Sequence, residues 1–323
     1  MHRRAYLRGT LLTALAGGLA GCSEAGSSTA SEPETVARGT ATPPVTATAT
    51  ATATPTPDDR SLAPYRSWLV APTPVTPHTY EFTHLSLSAV RADASESFAD
   101  NLDTYWRQRS ESYFGFRVPV AAIDAVLTVN HSRIAGESYR VVGGSFDVAT
   151  LRTALDAAGF AADGRVDDFQ RFVRTAEGRT RVVGLHPDVL VSIGTDASAT
   201  APLRRAVEQH AAGETRPADD EGLTRLIDYF GTADYVTGRE LEPAAEDYPL
   251  SQAVATGRRL DVRETTSWAE RTYVLAPGAT VERAAVEEEI RTRHVGQPIE
   301  EYRHEGRLVT VAGEVENSLI RLL

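Results

Sequence analysis

Arg258-Arg259-Leu260-Asp261-Val262-Arg263-Glu264-Thr265-Thr266-Ser267-Trp268-Ala269-Glu270-Arg271-Thr272-Tyr273-Val274-Leu275 is the stretch on which the fold turns. Polar and apolar residues alternate along it, which is the period of a strand. It predicts two arms, Arg258 to Thr266 and Ser267 to Leu275, joined around Thr266-Ser267-Trp268. Two further hairpins read the same way. One pairs Thr180 to Leu185 with Val189 to Gly194 about His186-Pro187-Asp188, and the other pairs Tyr302 to Glu305 with Arg307 to Val315 about Gly306. A hairpin makes its two strands antiparallel neighbours. The predicted fold is therefore α+β, a mainly antiparallel sheet with helices on one face, open to division into two similar subdomains.

Other elements fill the same region. Thr79 to Val90, Ala122 to Asn130, Tyr139 to Phe146 and Tyr235 to Leu241 read as strands. A helix follows Asp93-x-x-Glu96, which resembles a capping box. Asp147 is placed to cap a helix carrying Val148, Leu151 and Leu155, with Gly159 as its stop. Ser198 to Ala211, Gly222 to Phe230 and Val281 to His294, the last capped by Thr280, complete the helices. Trp68 is expected to dock on the domain edge, and the apolar tail Leu319 to Leu323 on the core. Gly144-Ser145-Phe146-Asp147 before one helix and Gly194-Thr195-Asp196 before another form a faint internal echo. Arg216 to Glu221 is polar and marks a subdomain boundary near 213–222.

The front of the chain carries a different message. Arg3-Arg4-Ala5-Tyr6-Leu7-Arg8 precedes an apolar run, Leu11 to Ala20, and then Cys22. A basic head, a short apolar core and small residues at the end make an export signal, here 1–21. The run is about half the roughly 20 residues that cross a bilayer, so it is read as removed. Arg3 and Arg4 match a twin-arginine signal. Leu19-Ala20-Gly21-Cys22 looks like a lipobox, whose cysteine takes the lipid. Two acyl chains hold a protein stably to a membrane. Residues 22–60 form a Thr/Ala/Pro-rich stalk with almost nothing to bury, and 61–323 form the globular region.

Composition narrows the rest. The chain has 323 residues and a formal net charge of −11. All 33 basic residues are arginine. Losing Arg3, Arg4 and Arg8 with the signal leaves 30 basic against 44 acidic residues, a balance of −14. Acid excess without lysine is a high-salt, GC-rich signature. Nucleic acid is an unfavoured partner, because phosphate binding needs a basic patch and the arginines are interleaved with Asp and Glu along the sequence.

The twin-arginine start, the lipobox, the Thr-rich stalk and Tyr65-Arg66-Ser67-Trp68-Leu69-Val70-Ala71-Pro72 together resemble uncharacterised haloarchaeal lipoproteins. Val142-Gly143-Gly144-Ser145-Phe146-Asp147 with Gly194-Thr195-Asp196 is similar to exported domain-of-unknown-function families. The resemblance implies a tether outside the membrane and specifies no reaction.

Chemistry-bearing motifs are few. No HExxH and no His/Cys set with zinc spacing occurs in the eight histidines. Gly143-Gly144-Ser145 has neither the GxGxxG pattern nor a P-loop lysine. Asp219-Asp220-Glu221 and Glu287-Glu288-Glu289 lack the spaced ligands of a calcium loop and read as solvated faces. Asn130-His131-Ser132 is a glycosylation sequon. Glu300, Tyr302 and His304 alternate on one strand and form the densest mixed ligand-site candidate, beside the plainer reading of a hairpin rim. No catalytic residue, metal or cofactor is assigned. The expected function is a lipid-anchored, cell-surface, non-catalytic binding or interaction protein. Its partners are the membrane, through Cys22, and a protein or small-molecule ligand. Two alternatives stay open: the solute receptor of a transporter, and a surface hydrolase using two carboxylates.

Overall fold

The computed structural model describes residues 64–69, 80–130, 138–195, 200–212, 221–241, 250–294 and 296–319. All lie in one compact unit, 54–323. Arg3, Arg4, Cys22, the stalk to residue 60, His131 and Ser132 of the sequon, most of the 213–222 connector, Asp219 and Asp220, and the tail beyond Leu319 lie outside the described residues. No described helix is long and apolar enough to cross a membrane.

The deciding stretch folds as read. β9 (Ala253–Val262) and β10 (Thr266–Leu275) pair antiparallel from Ser267↔Val262 to Leu275↔Ala253, and the turn is Arg263 to Thr265. The other two hairpins are β6 (Arg179–Leu185) with β7 (Val189–Thr195), and β11 (Glu301–Glu305) with β12 (Leu308–Glu316). β1 (Glu81–Ser86), β2 (Ile123–Asn130), β3 (Ser138–Gly144) and β8 (Tyr235–Glu240) join them. A hairpin that the sequence reading did not contain, β4 (Ala161–Val166) with β5 (Phe169–Ala176), completes twelve strands. Their order is β11-β12-β10-β9-β8-β1-β2-β3-β7-β6-β5-β4, with every ladder antiparallel. The fold is α+β with an antiparallel sheet, as the hairpins require.

The described helices are α1 (Leu87–Asp93), α2 (Glu96–Phe114), α3 (Val148–Ala157), α4 (Thr200–Ala211), α5 (Glu221–Phe230) and α6 (Arg283–Arg293). They cover both faces of the sheet, not one. Strand residues alternate between two cores, so that Phe82, Val129, Val191 and Val236 meet α4 and α5. Leu85, Val126, Leu190 and Tyr235 meet α1, α2 and α3 on the other side. α6 lies on that second side too, since Tyr273 and Leu275 reach its Val286 and Ile290 while Val274 points the opposite way. A sheet apolar on both faces needs two helical layers.

Local chemistry explains several element ends. The Asp147 carboxylate accepts from the backbone N–H of Ala149 and Thr150, at 2.9 and 3.2 Å, a cap worth about 1 kcal/mol. Gly159 ends the following turn at φ +81°, a conformation that suits glycine. Asp93 and Glu96 do not form a capping box: Ser95 is the N-cap of α2, without a side-chain bond. Glu282, not Thr280, is the N-cap of α6. The first strand stops at Ser86, because the Ser86 hydroxyl accepts from the Ala89 N–H and starts α1. Trp68 docks as expected, 8% exposed, with its ring stacked 3.6 Å from His210 of α4.

The chain does repeat itself, but not where the sequence echo lies. Outward from the central β1–β8 pair, the order is β2, β3, β7, β6 on one side and β9, β10, β12, β11 on the other. Each half is a hairpin, a helix (α3 or α6), and a second hairpin whose last strand returns beside the first. The first half also carries α1 and α2 and the β4–β5 hairpin. The Gly144 and Gly194 echo compares two turns within one half, and capped strand-to-helix turns recur by local physics alone.

Candidate functional site

Directly opposed residues on antiparallel strands point to the same face. One unbroken register line crosses the middle of the sheet: Arg271↔Arg258, Arg258↔Thr237, Thr237↔Thr83, Thr83↔Thr128 and Thr128↔Arg140. A neighbouring line runs Thr256↔Arg239, Arg239↔Glu81 and Glu81↔Asn130. Both lie on the α1–α3 and α6 side. Thr83, Thr128, Thr237, Arg140, Arg239, Arg258 and Arg271 on these lines are half-buried.

At the β8–β9 end of these lines is a pocket of about 280 Å³. Its walls include Glu81, Thr83, Tyr235, Thr237, Arg239 and Arg271, and His294 closes it from the end of α6. Gly238 and Gly257, paired across β8 and β9, form its floor. Both are glycine for a steric reason. A Cβ on Gly238 would sit 2.4 Å from the Phe82 ring, and one on Gly257 would sit 2.3 Å from the Thr237 carbonyl oxygen and 2.7 Å from the Phe230 ring. The core under α5 is thus pressed directly against the back of the pocket.

The charges are one-sided. Arg239, Arg258 and Arg271 make no ion pair among the described residues, although the chain carries an excess of acid. The Nε–H groups of Arg258 and Arg271 are buried without a hydrogen-bond acceptor. Burial pushes the Arg271 guanidinium down to about 10, and the charges of Arg258 and Arg239 push the same way. Burial also lowers Arg258. His294 falls to about 4, first through burial and then through Arg271, Arg239 and Arg258. Its ring stands 3.8 Å from Glu289 Oε1, but a neutral imidazole makes no ion pair there; the Glu289 charge faces Arg293 at 3.4 Å. Among the pocket residues Glu81 is the one carboxylate. Two lining arginines with Arg258 beside them, one carboxylate and three threonine hydroxyls suit an oxyanion that brings its own charge and acceptor atoms.

The residues singled out from sequence lie elsewhere or at the margin. Glu300, Tyr302 and His304 sit on and beside the edge strand β11. The Tyr302 ring packs on the α6 core with the Arg283 guanidinium 5.2 Å above it. Glu300 Oε1 accepts from the Glu314 N–H at 3.2 Å, and His304 is exposed. The three do not converge on a cavity. Asn130 ends β2, half-buried, beside Glu81 in register. The Glu287-Glu288-Glu289 run is not wholly solvated, since Glu289 is 2% exposed. No group of three or more His, Cys, Asp or Glu able to hold a metal ion occurs among the described residues.

Arg271 of the pocket and its neighbour Arg258 had a signal in the sequence. In Arg258-x-Leu260-x-Val262 and Ala269-x-Arg271-x-Tyr273 the arginine shares a face with buried apolar residues. The interleaving of Arg with Asp and Glu holds along the chain, while the register line Arg271, Arg258, Thr237, Thr83, Thr128, Arg140 carries no acid, because its neighbours come from other strands.

No protein-family profile matches the chain, and no curated protein matches it. Three solved structures are similar to it, all of TP0453. Crystal form III has a TM-score of 0.49 and 11% identity, covering 78% of this chain and 94% of that one. Crystal form I has a TM-score of 0.47 and 10% identity, and crystal form IV a TM-score of 0.47 and 11% identity; each covers 78% of this chain and 92% of that one.

Proposed function

We infer that this protein is a lipid-anchored, extracytoplasmic binding protein whose ligand is an oxyanion held by Arg239 and Arg271, with the charge of Arg258 beside them. The lipobox at Cys22 and the signal at Arg3 and Arg4 support the location. One observation carries the binding reading: the guanidinium groups of Arg239 and Arg271 line a glycine-floored pocket, the charge of Arg258 acts on Arg271 beside it, and Glu81 is the single carboxylate of the lining. Removing charge from water without a partner is costly, so such a cluster persists where a ligand supplies the partner. Arginine offers paired N–H donors that match a carboxylate, sulfate or phosphate. A hydrolase using two carboxylates draws no support from a pocket with one. A two-lobed solute receptor draws none from a wholly antiparallel set of described strands.

The test is calorimetric titration of the detergent-solubilised full chain in potassium chloride with galacturonate, citrate, inorganic phosphate and neutral galactose. At least one anion is expected to bind, galactose not to bind, and Arg258→Gln and Arg271→Gln each to weaken the anion at least tenfold. Absence of binding by every anion, or affinity unchanged in both variants, would overturn the reading.

A further inference from the structure

The lining of the pocket stops at Glu81 and Thr83 of the central strand pair, but the same face of the sheet goes on beyond it. Its register line continues through Thr83 and Thr128 to Arg140, in the other half of the sheet. There a second positive group awaits. Arg140 lies over the Tyr113 ring at 4.5 Å, near the C-terminal end of α2, and burial lowers it. Arg181 stands close enough for Arg140 and Arg174 to lower it further, after burial. Arg174 gives its N–H groups to the carbonyls of Gly115 and Ala158. Arg140 and Arg181 face no acid among the described residues.

The two ends are related by the internal repeat. Arg271 on β10 and Arg140 on β3 occupy equivalent strands on either side of the β1–β8 pair. Five strand intervals separate them, roughly 24 Å at about 4.8 Å per strand. Between the arginine ends lie Thr237, Thr83 and Thr128, all half-buried. Their hydroxyls can donate and accept. No aromatic ring occupies this middle stretch of the line, so it offers no stacking platform for nucleobases.

We propose that the two arginine clusters and the threonines between them form one elongated groove that binds an acidic oligosaccharide, with anionic sugar groups at both ends and hydroxyls at the centre. The proposal rests on the single-pocket reading and extends it. Linking two sites through one ligand makes the second contact intramolecular, so affinity rises steeply once the ligand reaches across.

The experiment titrates the full chain with galacturonate monomer, dimer and hexamer at low and at molar salt. The hexamer is expected to bind at least tenfold more tightly than the monomer, with a steeper loss on adding salt. Arg140→Gln and Arg181→Gln should each bring the hexamer down towards the monomer affinity. Arg152→Gln, on the exposed side of α3, should keep the length gain. Circular dichroism of each variant confirms folding, and Arg140→Met or Arg181→Met replaces the glutamine variant at that position if it fails to fold. Equal affinity for all lengths would overturn the groove and leave the single pocket standing. No binding at any length, with the other small anions also silent, would overturn both. A length gain that survives Arg140→Gln and Arg181→Gln would overturn the second cluster. Polyphosphate or single-stranded DNA of matched charge binding as tightly would overturn the saccharide assignment.

Discussion

Replacing Arg271 by methionine is expected to make the protein more stable and its pocket useless. The Arg271 guanidinium sits about 2.5 pH units below its ordinary value, because it is buried and because Arg258 and Arg239 share the space. At 1.36 kcal/mol per unit this is about 3 kcal/mol of folded-state cost while the group is charged. The cost is present at every pH below about 10 and disappears as pH rises from there towards the ordinary arginine range. Water at the open mouth screens part of it, so Arg271→Met should gain about 1–2 kcal/mol. The methionine stem fills much of the same volume. In a domain of this size the gain raises Tm by about 2–8 °C. The assay is urea denaturation and thermal melting followed by circular dichroism, at low and at molar potassium chloride. Molar salt shortens the screening length to about 3 Å and weakens the arginine–arginine repulsion. Burial is the larger cause, so most of the gain should remain. A variant less stable than the parent at both salt levels would refute the view that Arg271 is retained at a cost to the fold.

Acid should unfold the protein through its histidines. Burial holds His84 at about 4 and His294 at about 4, against an unfolded value of 6.5, so the unfolded state binds more protons between those limits. Stability is therefore lost as pH falls from about 6.5 to 4. Asp234, raised to about 6 by burial, acts oppositely, because its protonated form is favoured in the folded state. The net slope is about 1.4 kcal/mol per pH unit, and His84→Gln should flatten it while Asp234→Asn steepens it; a pH series of urea midpoints decides. At the other end of the chain, Cys22→Ser should release the protein into the medium, and lysine at positions 3 and 4 should leave it unexported. Blots of membrane, cytoplasm and medium read both, and a Cys22→Ser protein still held in the membrane would defeat the lipid anchor.

The sequence made the hairpins legible because each strand shows its own period. β9 and β10 alternate in part, as at Leu260-Asp261-Val262, and a polar turn between two such runs leaves one arrangement, although both strands bury residues on each face. Helix faces were legible for the same local reason. β4 was not, since Ala161-Ala162-Asp163-Gly164-Arg165-Val166 buries a single residue and shows no period. Helices on both faces were also hidden. Runs such as Val182-Val183 and Leu190-Val191 bury both sides of a strand, and consecutive apolar residues do not say which layer each one meets. The arginine pocket was least legible. Arg258 and Arg271 were visible as arginines on apolar strand faces, but Arg239 and His294 join them only through register and the end of α6. Glu300, Tyr302 and His304 drew notice by sitting close in sequence, which on an edge strand places them along a rim.

The seam between β1 and β8 also governs how the chain reaches this form. Leu85 pairs with Tyr235, about 150 residues later, whereas most other ladders join strands that are near neighbours in sequence. Each half can gather its own hairpins quickly. Closing the seam costs about 4–5 kcal/mol of chain entropy before any of its contacts form. Topology of this kind slows folding. Until the seam closes, β1 and β8 present unpaired edges, and like edges on different molecules attract one another. Under the twin-arginine export proposed from Arg3 and Arg4, which accepts cargo already folded, the cytoplasm would give this slow step its time and the proposed groove across the seam would be assembled before export.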